Sequence, residues 1–353
     1  IKHVPFLNSL SNNVVSCIVE DSEHNLWIGT SDGGLNFYDS TSKLYKNYLF
    51  KSGSLDVPFK DIKTAYVDEE HDKVYVGAHA GGMMALQRKS GRVEYFNRQN
   101  SNLPSNNIYS IISDENGGLW VASLEHLLHF DIDKRNFTIV DKDQNGRKLQ
   151  QYNRLLFRDS RRRIWVGGEM GVSVYNQIGT DFLANTDFHI DPILQQAFVN
   201  CFYESTSGYI WIGTRDGLNR FDGYTFKVFR NDPDETETLG SNWITCLGCD
   251  MNGDLWVGTL SGLYQYDDEK ESFRHIPFTA DKGIDIFQFD KDIQVSLPKV
   301  AIARFGIGNV NEYIRFSYCF NRDFTSSTIF SACRQLITYF SLLFILIKKR
   351  EIL

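Results

Sequence analysis

Trp211-Ile212-Gly213-Thr214-Arg215-Asp216-Gly217-Leu218-Asn219-Arg220-Phe221-Asp222 contains the phrase on which the reading of this chain turns. Its first four residues have counterparts in Trp27-Ile28-Gly29-Thr30, Tyr75-Val76-Gly77-Ala78, Trp120-Val121-Ala122-Ser123, Trp165-Val166-Gly167-Gly168 and Trp256-Val257-Gly258-Thr259. The anchor aromatics are 48, 45, 45, 46 and 45 residues apart. A period of that length marks a chain of stacked supersecondary units.

The surroundings of each anchor repeat as well. An apolar run such as Val14–Val19, Ile108–Ile112 or Val199–Tyr203 precedes it by about ten residues. An acidic or glycine-bearing turn follows that run, as in Asp21–Asn25, Asp114–Gly118 and Asp250–Asp254. After the anchor strand come a Gly turn, a strand ending in an aromatic residue and often Asp, and a fourth alternating run such as Arg92–Phe96 or Phe226–Phe229. Four short antiparallel strands in about 45 residues is the period of a β-propeller blade. The fold class expected is therefore all-β, a propeller of six repeats.

Blades pack face to face, so both faces of each sheet are apolar. The anchor ring is expected to fill the gap between neighbouring blades, and the Gly two residues later to admit a neighbouring backbone or ring. Small residues are expected where inner strands crowd together. Ten residues before the anchors stand Cys17, Ala65, Ser110, Leu155, Cys201 and Cys246. That column gives Cys246-x-x-Cys249 a structural reading, since residues three apart on a strand face opposite sides and a structural zinc site needs four ligands. His126 and His129 face opposite sides in the same way. The Asp-rich turns, such as Asp32-Gly33-Gly34 and Asp250–Asp254, lack the closing Glu of a calcium loop and read as solvated turns. No metal, cofactor or catalytic constellation is expected.

The chain has 353 residues, 37 Lys and Arg against 44 Asp and Glu, 42% hydrophobic and 14% aromatic content and 7 prolines. These values exclude disordered, collagenous and coiled-coil classes, and a net charge of −7 argues against a nucleic-acid partner. Six cysteines are too few for a disulfide scaffold. The opening Ile1-Lys2-His3-Val4-Pro5 has no signal-peptide pattern, which implies either a cytoplasmic protein or a chain that begins partway through a longer one.

The stretch Trp211–Asp222, continued by Gly223-Tyr224, resembles the first-blade signature of the two-component regulator propeller. Leu10-Ser11-Asn12-Asn13 and Leu103-Pro104-Ser105-Asn106-Asn107 are similar to that family's inter-blade links. The resemblance covers residues 1–278. It implies the extracytoplasmic, periplasmic sensor of a hybrid two-component system of the kind found chiefly in gut Bacteroidetes, homodimeric when intact and anchored in the inner membrane. Family members carry two seven-bladed propellers, a small β-sandwich, a membrane helix, a histidine kinase, a receiver and a DNA-binding domain. This chain shows six repeats and no sandwich or kinase pattern.

Residues 177–196 are irregular and polar, and the fifth repeat then opens with the first-blade phrase. The expected organisation is four blades ending one propeller at 1–180 and two blades starting the next at 181–278, with closure of all six into one ring as the alternative. Residues 279–353 hold 3 of the 27 glycines and no further anchor phrase, and read as a non-repeat tail. Within the apolar segment 330–347, Leu336–Ile347 precedes Lys348-Lys349-Arg350 in the pattern of a membrane span with a basic stop. Its twelve residues make a helix of ~18 Å, short of the ~30 Å hydrocarbon core, and extending it to Phe330 brings in Arg334.

The binding surface expected is the end of the blades where entering links and second turns meet. Asn13, Asn106, Asn242 and Trp243 fall on the links, and Asp32, His79, Glu125, Glu169, Arg215 and Asp216 on the turns. Aromatic faces beside amides and charges suit an oligosaccharide, whose rings stack while its hydroxyls pair. A ligand-sensing module and a protein-binding scaffold are the two functions that fit, with an enzyme third.

A blade at an open end leaves one apolar face in water. If the chain is two partial propellers, the isolated protein should be poorly soluble or oligomeric, and adding upstream blades should raise its cooperative stability. A monodisperse monomer with one sharp unfolding transition, made from residues 1–278, would favour the closed ring.

Overall fold

The computed structural model describes residues 8–48, 59–142, 146, 153–169, 171–178, 181–184, 194, 197–250, 252–276, 300–307 and 310–318, with backbone alone at 153, 178, 181–184, 300–307 and 310–318. Six antiparallel four-stranded blades follow one another along the chain, each paired in sequence order; five are separate sheets and the sixth is part of a six-stranded one. Their first strands are Val15–Glu20, Ile62–Asp68, Ile108–Ser113, Asn153–Arg158, Val199–Glu204 and Ile244–Cys249. The second strands, Leu26–Thr30, Lys73–Ala78, Gly118–Ser123, Arg163–Gly168, Ile210–Thr214 and Leu255–Thr259, hold the six anchors in equivalent places. In the tail, Val300–Ile307 and Val310–Tyr318 pair with each other, and the latter joins blade six through Cys246↔Tyr318. The apolar segment 330–347 lies outside the described residues, among which no helix is long and apolar enough to cross a membrane. Two compact units result: Ser16–Val199 carries blades one to four, and Ile1–Val15 with Asn200–Leu353 carries blades five and six.

Within each unit the cores lie between consecutive blades. Trp27 packs in one cluster with Ile62, Ala65, Val74 and Val76 of blade two, and Trp120 with Leu156, Ile164 and Val166 of blade four. Trp211 packs with Leu247, Leu255 and Val257 of blade six, its ring 4.9 Å from that of Tyr266 in a T-shaped contact. Trp27, Trp120 and Trp211 thus fill gaps between blades.

What approaches the anchor glycines differs from the expectation. A methyl on Gly29 would meet Cys17 Sγ and Ile62 Cγ2, each at 2.5 Å, and one on Gly77 would meet Ile108 Cγ2 at 2.5 Å and Thr64 Cγ2 at 2.7 Å. Each glycine therefore accepts an isoleucine side chain from the next blade, together with a small side chain from its own inner strand. Neither a backbone nor a ring fills the space. Gly213 repeats the arrangement with Cys201 and Ile244. In blade two the small residue opposite the glycine is Thr64, not Ala65. The turn there is one residue longer, with Asp68 seven residues before its anchor where Asp21, Asp114, Asp159 and Asp250 stand six before theirs. Cys17, Cys201, Cys246 and Cys249 are buried.

The Asp-rich turns between first and second strands are not simply solvated. The aspartate that opens each one is buried, at 6% exposure or less for Asp21, Asp68, Asp114, Asp159 and Asp250. Asp21 accepts from the amides of Glu23 and Asn25 and, at 3.1 Å, from Trp27 Nε1. Asp159 accepts from Trp165 Nε1 at 2.8 Å and from the Arg163 amide, and Asp250 accepts from Trp256 Nε1 at 3.2 Å. One carboxylate thus closes the hairpin and satisfies the indole buried beside it, where an unpaired polar group would be expensive. Asp114 pairs instead with His129 Nε2 at 2.7 Å, and Trp120 Nε1 turns to Gln177 Oε1. Burial alone would push Asp114 up, but His129 and the amides of Asn116 and Gly118 outweigh it and hold the carboxyl below its usual range. Asp250, for which burial dominates, is pushed up. In blade five Ser205 takes the aspartate position, and Trp211 Nε1 is buried with no acceptor among the described residues.

Two substitutions test this account by urea denaturation. Gly213→Ala should cost about 1–3 kcal/mol, because its methyl overlaps both neighbours in a close-packed layer. Ser205→Asp should raise the unfolding free energy by about 1 kcal/mol by giving Trp211 its acceptor, whereas Asp159→Ala should cost about 3 kcal/mol by orphaning the Trp165 and Arg163 donors.

Candidate functional site

The second turn of a blade and the link entering the next blade lie together, because a turn amide donates to a link carbonyl. Gly82 N bonds Asn106 O at 2.7 Å, Gly217 N bonds Asn242 O at 2.7 Å, and Gly34 N bonds Lys60 O at 2.9 Å. The turn itself is closed by the hydroxyl that ends the anchor phrase: Thr30 Oγ1 donates to Gly34 O, Thr214 Oγ1 to Gly217 O and Thr259 Oγ1 to Gly262 O. These bonds set a rim of links and turns at one end of each blade pair. The hairpins opened by the buried aspartates join the other ends of the same strands.

The candidate residues divide between the two units. In Ser16–Val199, His79 is about half exposed, its Nδ1 4.0 Å from Asp61 Oδ2 and its amide bonded to Asp61 O. Asn106 Oδ1 accepts from the Arg98 amide at 2.9 Å, so part of its side chain fastens the link. Glu125 is exposed. Glu169 pairs with Arg154, whose guanidinium lies 4.7 Å from the centre of the Tyr109 ring. Asp32 is an exposed turn residue with φ 63°.

In the other unit, the Arg215 guanidinium lies 4.7 Å over the Trp243 ring, joining a turn of blade five to the link of blade six. Asp216 pairs with Arg230 Nη2 at 3.0 Å. Asn242 Oδ1 accepts from the Asn231 amide at 2.6 Å, the same fastening that Asn106 makes. Asn13 is exposed on its link. Arg215 with Trp243 is thus the one aromatic and cationic pair that the expected residues form, while both asparagines also hold backbone. Among the described residues no group of three or more His, Cys, Asp or Glu could hold a metal ion.

Beside these residues runs a feature that the sequence reading missed. In four inner strands the ladder skips a residue near the rim. Ile62 and Thr64 face Ala78 and Gly77, Ile108 and Ser110 face Ser123 and Ala122, Asn153 and Leu155 face Gly168 and Gly167, and Ile244 and Cys246 face Thr259 and Gly258. Lys63, Tyr109, Arg154 and Thr245 are the extra residues of β-bulges, left out of the pairing. In blades two, three and six the signal in the sequence is a triplet of Ile, any residue and a small residue, which reads as ordinary strand alternation; blade four, with Asn153-Arg154-Leu155, lacks even that.

Four segments, 9–32, 102–125, 193–216 and 238–261, match the two-component regulator propeller family. Each runs from an entering link through an anchor strand into the following turn. Histidine kinase P4 of Formosa agariphila is 37% identical over 60 residues, a stretch that is 17% of this chain and 4% of that protein. Among solved structures, the extracellular domain of the hybrid two-component system BT3049 from B. thetaiotaomicron superposes with a TM-score of 0.60 at 21% identity, over 89% of this chain and 41% of that one. The extracellular domain of BT4673 from the same organism gives 0.61 at 21% identity, over 90% and 39%. A catalytically inactive virginiamycin B lyase from Staphylococcus aureus gives 0.56 at 12% identity, over 88% and 97%. At these identities the structural likeness establishes the fold, and the chain spans about two fifths of the two sensor domains. Four of its six blades thus contain a segment that matches the two-component regulator propeller repeat.

Proposed function

We propose that this chain is the ligand-reading propeller region of an extracytoplasmic sensor in a hybrid two-component system, and that its ligand is an oligosaccharide released from a glycan. The repeat matches and the relatives named above support the sensor role. The observation that carries the ligand is the Arg215 and Trp243 pair, which lies inside two of the matched segments and joins consecutive blades at their link end. An indole held flat by a guanidinium gives a rigid apolar plate with donors at its edge, the combination that a sugar ring and its hydroxyls require. The propeller binds and performs no chemistry; phosphoryl transfer belongs to a kinase elsewhere in the intact sensor, which works across the inner membrane as a homodimer.

Tryptophan fluorescence and calorimetry against a panel of oligosaccharides test the reading. Binding is expected, weakened at least about tenfold by Trp243→Ala and less by Arg215→Ala, as for an aromatic anchor at a binding centre. Absence of saccharide binding across the panel, with a protein partner recovered and mapped to the same rim, would make the chain an interaction scaffold instead.

A further inference from the structure

The bulges follow from blade packing, and their extra residues form a row of their own. In a regular strand residues i and i+2 face the same side. Here Ile62 reaches Gly29 of the preceding blade while Thr64 lies against Gly77, whose open side receives Ile108 of the following blade. Likewise Ile108 reaches back to Gly77, while Ser110 Oγ accepts from the Leu156 amide of blade four at 3.1 Å. The inserted residue reverses the alternation and itself belongs to neither packing face. In blades two, three and four, whose inner strands are neighbours, that residue is Lys63, Tyr109 and Arg154.

These three side chains are held, not loose. Lys63 Nζ is 3.2 Å from Asp61 Oδ2, with both side chains under a tenth exposed, and Ser31 Oγ donates to Asp61 Oδ1 at 3.1 Å. Arg154 is 10% exposed, pairs with Glu169 and stacks on half-buried Tyr109. Each cation therefore carries its own carboxylate, and the row has donors and acceptors side by side with no net charge.

The geometry points to a saccharide subsite formed by the bulge residues Lys63, Tyr109 and Arg154, with Asp61 and Glu169, selective for uncharged sugars. This deepens the oligosaccharide reading and rests on it. A vicinal diol can accept from a cation and donate to its carboxylate at the same time, so a neutral sugar leaves both ion pairs intact. A uronate or sulfate ester would compete with Asp61 and Glu169 for the same cations, and would bring its own charge toward theirs. Tyr109, clamped by Arg154, supplies the apolar plate without further loss of side-chain freedom.

The test is saturation-transfer NMR and calorimetry on the full chain with neutral gluco-, manno-, galacto-, xylo- and fructo-oligosaccharides, and oligogalacturonates for comparison. At least one neutral series should bind, with affinity reduced about tenfold or more by Tyr109→Ala and by Lys63→Met and kept by Tyr109→Phe. Unchanged thermal unfolding of the variants separates loss of contact from loss of fold. For a variant that melts early, protection of the Tyr109 ring signals by the sugar in the unaltered protein serves in its place. Neutral binding that ignores both substitutions and leaves the Tyr109 signals unchanged would overturn the subsite and leave the sensor reading standing. Preference for the galacturonates would overturn the neutral selectivity, and no binding to any series would overturn both readings.

Discussion

The contact on which blades one, two and five depend is the seat at the anchor glycine, where an isoleucine from the next blade and a cysteine or threonine from the same sheet occupy the space a side chain would need. It brings consecutive inner strands together closely enough for the anchor rings to be covered. It also fixes which inner-strand residues face which neighbour. In blades two and three the bulge accompanies this seat, since each inner strand sends an isoleucine backward and a small residue forward within three positions.

The rim follows from the same constraint. Once the ladder has absorbed an extra residue beside the link, that side chain is excluded from the apolar layers and is free to be polar, as Lys63, Arg154 and Thr245 are. The link is then fastened by its own backbone and, in two cases, by the asparagine carbonyl oxygens of Asn106 and Asn242. Packing strain and ligand chemistry thus meet at neighbouring positions without sharing residues.

Much of this was legible in the sequence because the repeat spacing exposes which residues are equivalent. Four-stranded blades and the anchor positions came directly from it. Other features depended on contacts that no local pattern reveals. The turn Asp250-Met251-Asn252-Gly253-Asp254 looks uniformly polar, yet the carboxylate of Asp250 is buried because the strand returning six residues later places Trp256 against it. Counting ten residues back from the anchor picks Ala65 for the small-residue column, while Thr64 faces the glycine, because the count cannot see a turn one residue longer. Of the rim residues, Arg215 and Trp243 do meet, while the bulge residues were hidden by a triplet that looks like alternation.

The turn chemistry also sorts the five tryptophan-bearing blades into spectroscopic classes. Trp27, Trp165 and Trp256 donate to a carboxylate, Trp120 donates to an amide oxygen, and Trp211 has no acceptor among the described residues. Indole proton resonances respond strongly to the charge of the acceptor, so one spectrum separates the anchors into classes that correspond to particular blades. The aspartates that close the hairpins thereby equip the protein with reporters of local opening that tell blades three and five apart from the carboxylate-bonded blades one, four and six without an introduced probe.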